Sequence, residues 1–269
     1  MEKYAGTQAL ARAFRLIKLF DDDTPVWSLV GLTEASGLKR STVFRLLAAL
    51  EAEGLVRKTA VSEYTLGSEL IVWGGRAVRA NNLRTISQPF LEQLVLTTTE
   101  SVTLDVLWID DEKRPLSIVI EEKLGRHVMG MAQYIGGRFS AHTTSTGKVL
   151  LAWQSDAILN SLNLTHLNKQ TEHTLTNAQA FQAELATVRA NGFAVTKDEL
   201  EIGLTAVSAP IFNHHNDIQA ALCIGAPSSR IAPRLDKLAQ EVMKTAVSIS
   251  HALGYREQRV RGTAEKDHT

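Results

Sequence analysis

The residues best suited to recognition chemistry form a basic, hydroxyl-rich cluster. They are Lys39, Arg40, Ser41, Thr42 and Arg45. An arginine can bind guanine through two hydrogen bonds, and hydroxyls can reach phosphates or bases. The free N–H groups in the first turn of a helix favour phosphate oxygens. These residue types, at the start of a helix, therefore predict a helix that enters the major groove of DNA.

The segment that must position this cluster, residues 28–54, is predicted to form two short helices joined by a tight turn. Gly37 lies in the turn, where glycine permits a positive φ. The apolar residues of the second helix recur at the spacing of one buried face: Val43, Leu46, Leu47 and Leu50. The recognition residues are then left facing outward. An ordinary helical hairpin with a solvated charged side is the alternative, but the combination of features favours DNA binding.

Neighbouring segments complete a winged arrangement. A helix is predicted over residues 7–20 and ends at the aspartate- and proline-rich residues 21–25. Two short strands, residues 55–59 and 63–66, would form a wing that places Arg57 and Lys58 beside a phosphate backbone. The intervening turn lacks the usual Gly or Asn, so the sequence does not fix its type.

A predicted connecting helix runs from Glu69 to about Ala80. Its first turn is apolar nearly all round and contains Leu70, Ile71, Val72 and Trp73. A helix of this kind is normally buried, either against its own domain or against a second copy of itself. The sequence leaves these two possibilities equal.

Length and composition indicate a globular chain of two domains. The chain has 269 residues, of which 44% are hydrophobic and 22% are charged. A formal net charge of zero argues against a protein coated in nucleic acid, but allows a small basic DNA-reading face. No apolar run reaches the length of a membrane span, and the first residues show no signal-peptide core. Cys223 has no second cysteine to pair with, so we expect a cytoplasmic protein without disulfides.

From Leu83 onward the pattern mixes strands and helices, which indicates an α/β domain with a largely antiparallel sheet. Predicted strands cover residues 101–109, 115–121, 127–134, 193–196, 204–212 and 218–226. Predicted helices cover residues 83–98, 146–153, 156–162, 176–190 and 234–253. Thr176 with Gln179 is predicted to form a capping box, and Gly192 to follow the end of that helix. The polar tail, residues 255–269, is predicted to be disordered.

Taken in chain order, these segments resemble the IclR family of bacterial transcription regulators. The resemblance extends from Thr7 to Leu253. In the first half it rests on TQALARAFRLIKLF, LTEASGLKRSTVFRLLAALEAEGLV and YTLG. In the second half it rests on STGKVLLA, GFAVTKDELEIGLTAVSAPIF and AALCIGAPSSRI.

The resemblance implies an α/β protein of two domains. These are an N-terminal winged helix-turn-helix domain (residues 1–67), a linker helix (68–82) and a C-terminal GAF-like effector-binding domain (83–254) with a mainly antiparallel sheet. Members of the family form homodimers or homotetramers, bind palindromic operators in double-stranded DNA, and sense organic acids, aromatics or sugar-derived metabolites. We therefore expect a ligand-responsive regulator of metabolite catabolism, a repressor rather than an activator, that needs no cofactor.

Effector contacts in the family fall at positions that match eight residues here: Val128, Met131, Ser145, Thr146, Thr196, Ala206, Cys223 and Gly225. Members that bind very small oxo-acids have an Asp, a Cys and two Ser at the last four positions. The resemblance therefore implies a pocket that has lost a charge and gained room, for a ligand larger or less polar than glyoxylate or pyruvate. Strict strand alternation would put Val128 and Met131 on opposite faces of a strand, which conflicts with both residues contacting one effector.

Spacing alone offers one further site. The hydroxyl-rich residues 142–147 lead into a helix whose N-terminal N–H groups would favour a carboxylate. From the residues alone, a simple N-cap at Ser145 or Thr146 is the favoured interpretation. Asp198, Glu199 and Glu201 form an acidic cluster that we interpret as a solvated turn rather than an acid–base pair.

The alternatives to a regulator are a metabolic enzyme with an appended helical domain and a sensor module that does not bind DNA. STGK ends like a phosphate-binding loop, but His142 occupies the position of the required glycine. No GxSxG motif is present. His214 and His215 are predicted in a solvated turn rather than a metal site, and Cys223 in strand packing rather than as a nucleophile. We expect neither catalysis nor a metal.

Overall fold

The computed structural model describes residues 7–21, 23–127, 135–164 and 167–256, with the backbone alone at positions 78 and 79. Within these ranges the chain divides between Asn81 and Asn82 into two compact units. The predicted strand at residues 127–134 and most of the predicted tail lie outside the described residues. Among the helices that the structure describes, none has the length and apolarity required to cross a membrane.

The N-terminal unit combines four helices with a small sheet in its described residues. Its elements are α1 (Gln8–Ile17), β1 (Val26–Trp27), α2 (Leu29–Ser36), α3 (Arg40–Ala52), β2 (Val56–Lys58), β3 (Tyr64–Leu66) and α4 (Glu69–Arg79). β3 lies between β1 and β2, and both pairs are antiparallel. The sequence did not predict β1, because two residues are too few to show a period.

The core of this unit confirms the apolar spacing predicted for α3. Val43, Leu47 and Leu50 are buried, and Leu46 is partly buried against them. They pack with buried residues from the rest of the unit: Leu16, Phe20, Leu32, Leu55, Val56 and Tyr64. Because α3 commits one side to this core, its opposite side is left to solvent.

The turn between α2 and α3 also has the predicted form. Ser28 caps α2 by accepting the N–H of Gly31 at 3.0 Å. α2 ends at Gly37, whose φ of +66° is left-handed and whose N–H donates to the carbonyl of Thr33 at 3.1 Å. This conformation redirects the chain so that α3 begins three residues later.

The C-terminal unit is built on a six-stranded sheet. Its strands are β4 (Ser101–Ile109), β5 (Pro115–Lys123), β6 (Arg138–Ser140), β7 (Ala194–Lys197), β8 (Leu204–Phe212) and β9 (Ile218–Pro227). Its helices are α5 (Asn82–Thr98), α6 (Ser145–Ala152), α7 (Asp156–Ser161), α8 (Ala178–Asn191), α9 (Ser228–Ile231) and α10 (Leu235–Ala252). The strand order is β6-β5-β4-β9-β8-β7, and every neighbouring pair is antiparallel.

Both faces of this sheet are covered. α5 and α10 contribute to one buried cluster with Leu104, Val207 and Ile224 of the sheet, and α6 and α8 contribute to a second with Ala194 and Ala221. As a result β4 is buried at five consecutive positions from Ser101. A strand covered on both sides does not show the clean inside–outside alternation that its sequence suggested.

Some predicted details of this unit are wrong. The Oδ1 of Asn177 accepts the N–H of Ala180 at 2.9 Å and caps α8, so the capping box at Thr176 and Gln179 does not form. The end of α8 is as predicted, with Gly192 at a φ of +79°. β6 and α9 were not predicted, since each is too short to carry a hydrophobic period.

Candidate DNA interface and effector cavity

The predicted recognition residues lie on the solvent side of α3. Lys39 is the N-cap residue with an extended backbone, and Arg40 is the first residue of the helix. Both are exposed, as are Ser41 and Arg45, while Thr42 is half-buried. None of these five side chains is buried in the core of the N-terminal unit.

Phe44 was not among the predicted recognition residues. It is half-exposed and follows Ser41 by three positions, which puts both on one side of α3. An apolar side chain at such a position can contact a thymine methyl group or a sugar. The signal was present in the sequence, because Phe44 falls outside the stripe of buried residues.

The predicted wing is formed by β2 and β3. Arg57 and Lys58 are exposed on β2, as expected of phosphate-contacting residues. The Thr59 N–H donates to the Glu63 carbonyl at 2.7 Å, which closes the loop. Ser62 supplies a positive φ of +64° in place of the missing glycine or asparagine.

A cavity of about 710 Å³ lies in the C-terminal unit, where the sheet meets the first turn of α6. Five of the eight predicted effector residues line it: Ser145, Thr146, Thr196, Ala206 and Cys223. Gly225 does not line it, although it lies directly opposite Ala206 in the ladder between β8 and β9. Val128 and Met131 lie outside the described residues.

Strand register explains why distant residues meet at this cavity. Thr196 pairs with Ala206, and Ala206 pairs with Gly225. Residues two positions apart in a strand share a face, so the same face carries two further cross-strand rows. These rows are Ser208, Cys223 and Thr103, and then Pro210, Ala221, Asp105 and Val119.

The N-cap of α6 is Thr144, whose Oγ1 accepts the N–H of Gly147 at 3.0 Å. The interpretation that placed the cap at Ser145 or Thr146 is therefore wrong. Both hydroxyls reach the sheet instead: the Oγ of Ser145 is 2.6 Å from that of Ser208, and the Oγ1 of Thr146 donates to Asp105 at 2.8 Å. This places two hydroxyls of the helix start at the cavity wall.

Gly147 is required for this arrangement. A Cβ at this position would overlap the backbone carbonyl of Ala141, in the short 3₁₀ turn that precedes α6. Since backbone cannot move aside as a flexible side chain can, glycine permits the close approach that aims Ser145 and Thr146 at the sheet.

Sequence reasoning also missed Asp105, which lines the cavity from β4. Its Oδ2 accepts hydrogen bonds from Ser117 at 2.9 Å and from Thr146 at 2.8 Å. Among the described residues its Oδ1 has no partner. Burial raises the pKa of this carboxyl, while the nearby hydroxyls of Thr103, Thr146 and Ser117 act in the opposite direction. The signal was a charged residue within the otherwise apolar sequence SVTLDVLWI.

Cys223 is buried in β9, as predicted. Burial is the main cause that raises the pKa of its thiol to about 12, and the nearby Asp105 carboxylate adds to the effect. The thiol is therefore protonated at neutral pH, and a protonated thiol is a poor nucleophile. Packing at the cavity wall accounts for this residue.

In the acidic cluster after β7, the interpretation as a solvated turn is wrong for Glu199. Its Oε1 lies 2.7 Å from the Nζ of Lys148, and both residues are buried. The neighbouring Asp198 accepts hydrogen bonds from the N–H of Gly203 and from Ser228, and the Gly203 bond chiefly lowers its pKa. Glu201 is exposed at the cavity.

His214 and His215 are exposed in the turn between β8 and β9. Within the part of the chain that the structure describes, no group of three or more His, Cys, Asp or Glu side chains is placed to hold a metal ion.

Two family models match this chain. One, described as the IclR helix-turn-helix domain, matches residues 9–60, and the other, described as bacterial transcriptional regulator IclR C-terminal, matches residues 75–251. The transcriptional repressor IclR of Escherichia coli (strain K12) is 29% identical over 250 residues, which cover 92% of this chain and 90% of that protein. The HTH-type transcriptional regulator KdgR of the same organism is 31% identical over 233 residues, which cover 84% of this chain and 86% of that protein.

Solved structures share the fold. The crystal structure of IclR from Thermotoga maritima gives a TM-score of 0.68 at 26% identity, covering 92% of this chain and 99% of that one. An IclR homolog from Microbacterium hydrocarbonoxydans, complexed with 4-hydroxybenzoate, gives a TM-score of 0.77 at 21% identity. The match covers 91% of this chain and 99% of that one. The proteins that match both units are regulators of transcription and not enzymes. This chain therefore belongs to the IclR family of bacterial transcriptional regulators.

Proposed function

We propose that this regulator represses genes for the catabolism of a small organic metabolite and releases its operator when that metabolite binds. The observation that carries the proposal is the combination of an exposed basic and hydroxyl face on α3 with a cavity of about 710 Å³ in the other unit, lined by apolar and hydroxyl-bearing residues. Repression is supported by relatives that are themselves named repressors. Contact with chromosomal DNA would put the protein in the bacterial cytoplasm.

In this proposal α3 reads the major groove of double-stranded DNA. Arg45 has the length and geometry to bind a guanine edge bidentately, while the first-turn residues, Lys39 to Thr42, contact phosphates and adjacent bases. Arg57 and Lys58 of the wing contact flanking phosphates. Such a division makes Arg45 the principal source of sequence discrimination.

We further propose that the protein binds a palindromic operator as a homodimer, which can pair into a tetramer. Two apolar surfaces of the N-terminal unit support this. Leu10 and Phe14 are exposed one turn apart on α1, and Ile71 and Trp73 are exposed on α4. Groups of large exposed apolar side chains mark sites where a partner binds, and a two-fold dimer matches the symmetry of a palindrome.

The proposed effector is an organic acid, an aromatic compound or a sugar-derived metabolite bound in the cavity. Its volume falls within the range of small-molecule sites, roughly 300–1,000 Å³, and exceeds the needs of a two- or three-carbon acid. A related solved structure holds 4-hydroxybenzoate. For the ligand to act as a switch, it must bind the DNA-competent and DNA-incompetent arrangements unequally.

The central test replaces Arg45 with Ala. An operator is first selected from random DNA with the wild-type protein, and its affinity is then measured by mobility shift. Loss of a bidentate base contact is expected to cost about 1–3 kcal/mol on the operator, with little change on random DNA. Arg114→Ala, at an exposed arginine of the C-terminal unit, serves as the matched control.

Equal weakening on operator and random DNA, or no weakening at all, would show that Arg45 does not read sequence. If the wild-type protein enriches no DNA sequence, the sensor-module alternative is favoured. If a compound raises the melting temperature of the protein and the protein also converts it chemically, the enzyme alternative is favoured.

A further inference from the structure

We infer that Asp105 is an effector-binding residue and that its free oxygen takes a hydroxyl group of the effector. The inference deepens the proposed function, because it rests on the cavity being the effector site and names the class of compound that the site selects. The effector would then be a hydroxylated compound, and Asp105 would be the residue that distinguishes it from its deoxy counterpart.

The first observation is the unequal environment of the two carboxylate oxygens. Asp105 is 3% exposed, and Oδ2 already accepts hydrogen bonds from Ser117 and Thr146. Oδ1 is fully buried and has no partner among the described residues. A buried acceptor without a partner destabilises the folded protein, and more so when it is charged. Such a group is retained where a bound molecule completes it.

The second observation is the position of Asp105 at the cavity. Its cross-strand partners on β5 and β9 are Val119 and Ala221, whose side chains cannot form hydrogen bonds. Thr103 precedes it by two residues on the same face of β4 and also lines the cavity. Asp105 is therefore a polar point of the cavity wall between apolar neighbours, and a ligand at this point would lie against its carboxyl group.

The third observation is the charge of the lining. Among the lining residues that the structure describes, the ionisable carboxyls are Asp105 and Glu201, and no lysine or arginine is present. A carboxylate of a ligand placed at Asp105 would meet a like charge. A hydroxyl meets no such penalty. It also donates to a carboxylate or accepts from a carboxylic acid, so it suits either protonation state of a carboxyl whose pKa is raised by burial.

Hydroxyls elsewhere on the wall favour the same class of compound. Thr103, Thr143 and Thr196 line the cavity with Asp105. Hydroxyl side chains donate and accept, which matches a ligand that presents several hydroxyl groups.

The test uses two matched pairs of probes, 4-hydroxybenzoate with benzoate and gluconate with hexanoate. Dissociation constants are measured by calorimetry for the full-length wild type, Asp105→Ala and Asp105→Asn. A hydrogen bond to a charged group corresponds to about tenfold or more in affinity. In at least one pair we expect the wild type to prefer the hydroxylated member by this factor. Asp105→Ala should reduce the preference to less than about twofold.

Asp105→Asn preserves the shape of the side chain and shows whether any loss arises from misfolding. It is expected to weaken the same preference while retaining a cooperative melting transition. Asp217→Ala, at an exposed aspartate in the turn between β8 and β9, is the matched control and should behave as the wild type.

The inference is overturned if the wild type binds both members of each pair alike, prefers the plain members, or binds none of the four. It is also overturned if the preference survives in Asp105→Ala. A probe that binds through Asp105 and leaves operator binding unchanged would support the inference but contradict the effector role in the proposed function.

Discussion

At the scale of single residues, Asp105 links binding to stability. Burial raises the pKa of its carboxyl, so the folded state binds a proton more tightly than the unfolded state. This tighter proton binding adds to the free energy of unfolding. The contribution is fully present below the pKa that the carboxyl has in the unfolded state, and it is lost as the pH rises through the pKa that it has in the folded state. Ionised Asp105 therefore lowers the free energy of unfolding at neutral pH, which is consistent with a functional role for this residue.

The first prediction follows from that sign. Asp105→Asn removes the buried charge, so without ligand it should melt at a higher temperature than the wild type at about pH 8. The difference should shrink on acidification and vanish below the ordinary pKa of an aspartate, where the carboxyl is protonated in the folded and the unfolded state. Glu201 and Cys223 also face the cavity, but they are common to both proteins and cancel in the difference. A variant that melts below the wild type by a constant amount at every pH would contradict this account.

Residues differ in how far the sequence reveals them. Ser145, Thr146 and Cys223 were predicted because a family resemblance fixes their positions, and they do line the cavity. Asp105 was visible as a charge in an apolar strand, but nothing local shows that two hydroxyls from β5 and α6 saturate one of its oxygens. Glu199 was misread because its ionic partner Lys148 lies 51 residues away along the chain.

At the scale of elements, a buried ion pair connects α6 to the segment after β7. Lys148 of α6 is 1% exposed and contacts Glu199 at 2.7 Å and Glu184 of α8 at 3.3 Å. Burial is the main cause that raises the pKa of Glu199, and Lys148 is the main cause opposing it. This pair holds the helix whose first turn forms part of the cavity wall.

Lys148→Met should therefore destabilise the protein by about 3–5 kcal/mol at pH values where Glu199 is ionised, because the carboxylate is left buried without its partner. The loss should decrease on acidification, since protonation of Glu199 removes the buried charge. The double variant Lys148→Met/Glu199→Gln should recover most of the loss. Denaturant unfolding at about pH 8 and at about pH 5 measures all three proteins, and a single variant as stable as the wild type at both would refute the argument.

Elements with a sustained period were predictable, and short ones were not. The buried stripe of α3 repeats over two turns, so its face could be assigned from sequence. β1 and β6 have two and three residues, and no period can be read from so few. The cap of α8 was placed at Thr176 instead of Asn177 because both residue types are good caps, and only the backbone geometry decides between neighbours.

At the scale of the whole molecule, the proposed switch requires that one copy of the chain affects another. An effector bound within one C-terminal unit changes operator affinity only if the paired arrangements of two copies differ in their affinity for it. The apolar residues of α4 bear directly on this requirement. The sequence left open whether this helix packs on its own unit or on a second copy.

The structure answers part of that question. Leu70 packs against the N-terminal core, whereas Ile71 is 77% exposed and Trp73 is half-exposed. Part of the apolar surface of α4 is therefore used within the chain, and its exposed apolar side chains are left for a partner of apolar character. A second copy of the same helix has that character, and in a two-fold dimer each contact occurs twice.

The last prediction tests this pairing with Ile71→Lys. The substitution should cost little in a single chain, because the side chain is already exposed, but it would place two charges in the proposed interface. Removing an apolar side chain of this size from burial costs about 1.5–3 kcal/mol, so the dimer should weaken by at least about tenfold. Sedimentation velocity measures the mass, and mobility shift compares a full palindrome with a half-site.

Val61→Lys is the matched control, because Val61 is 75% exposed at the tip of the wing and outside the proposed interface. It should leave the mass of the assembly unchanged. For Ile71→Lys we expect a shift toward the monomer, a melting transition that stays cooperative, and weaker binding to the palindrome with half-site affinity retained. An unchanged mass would place the interface elsewhere, and the exposed face of α4 would then need another partner to explain it.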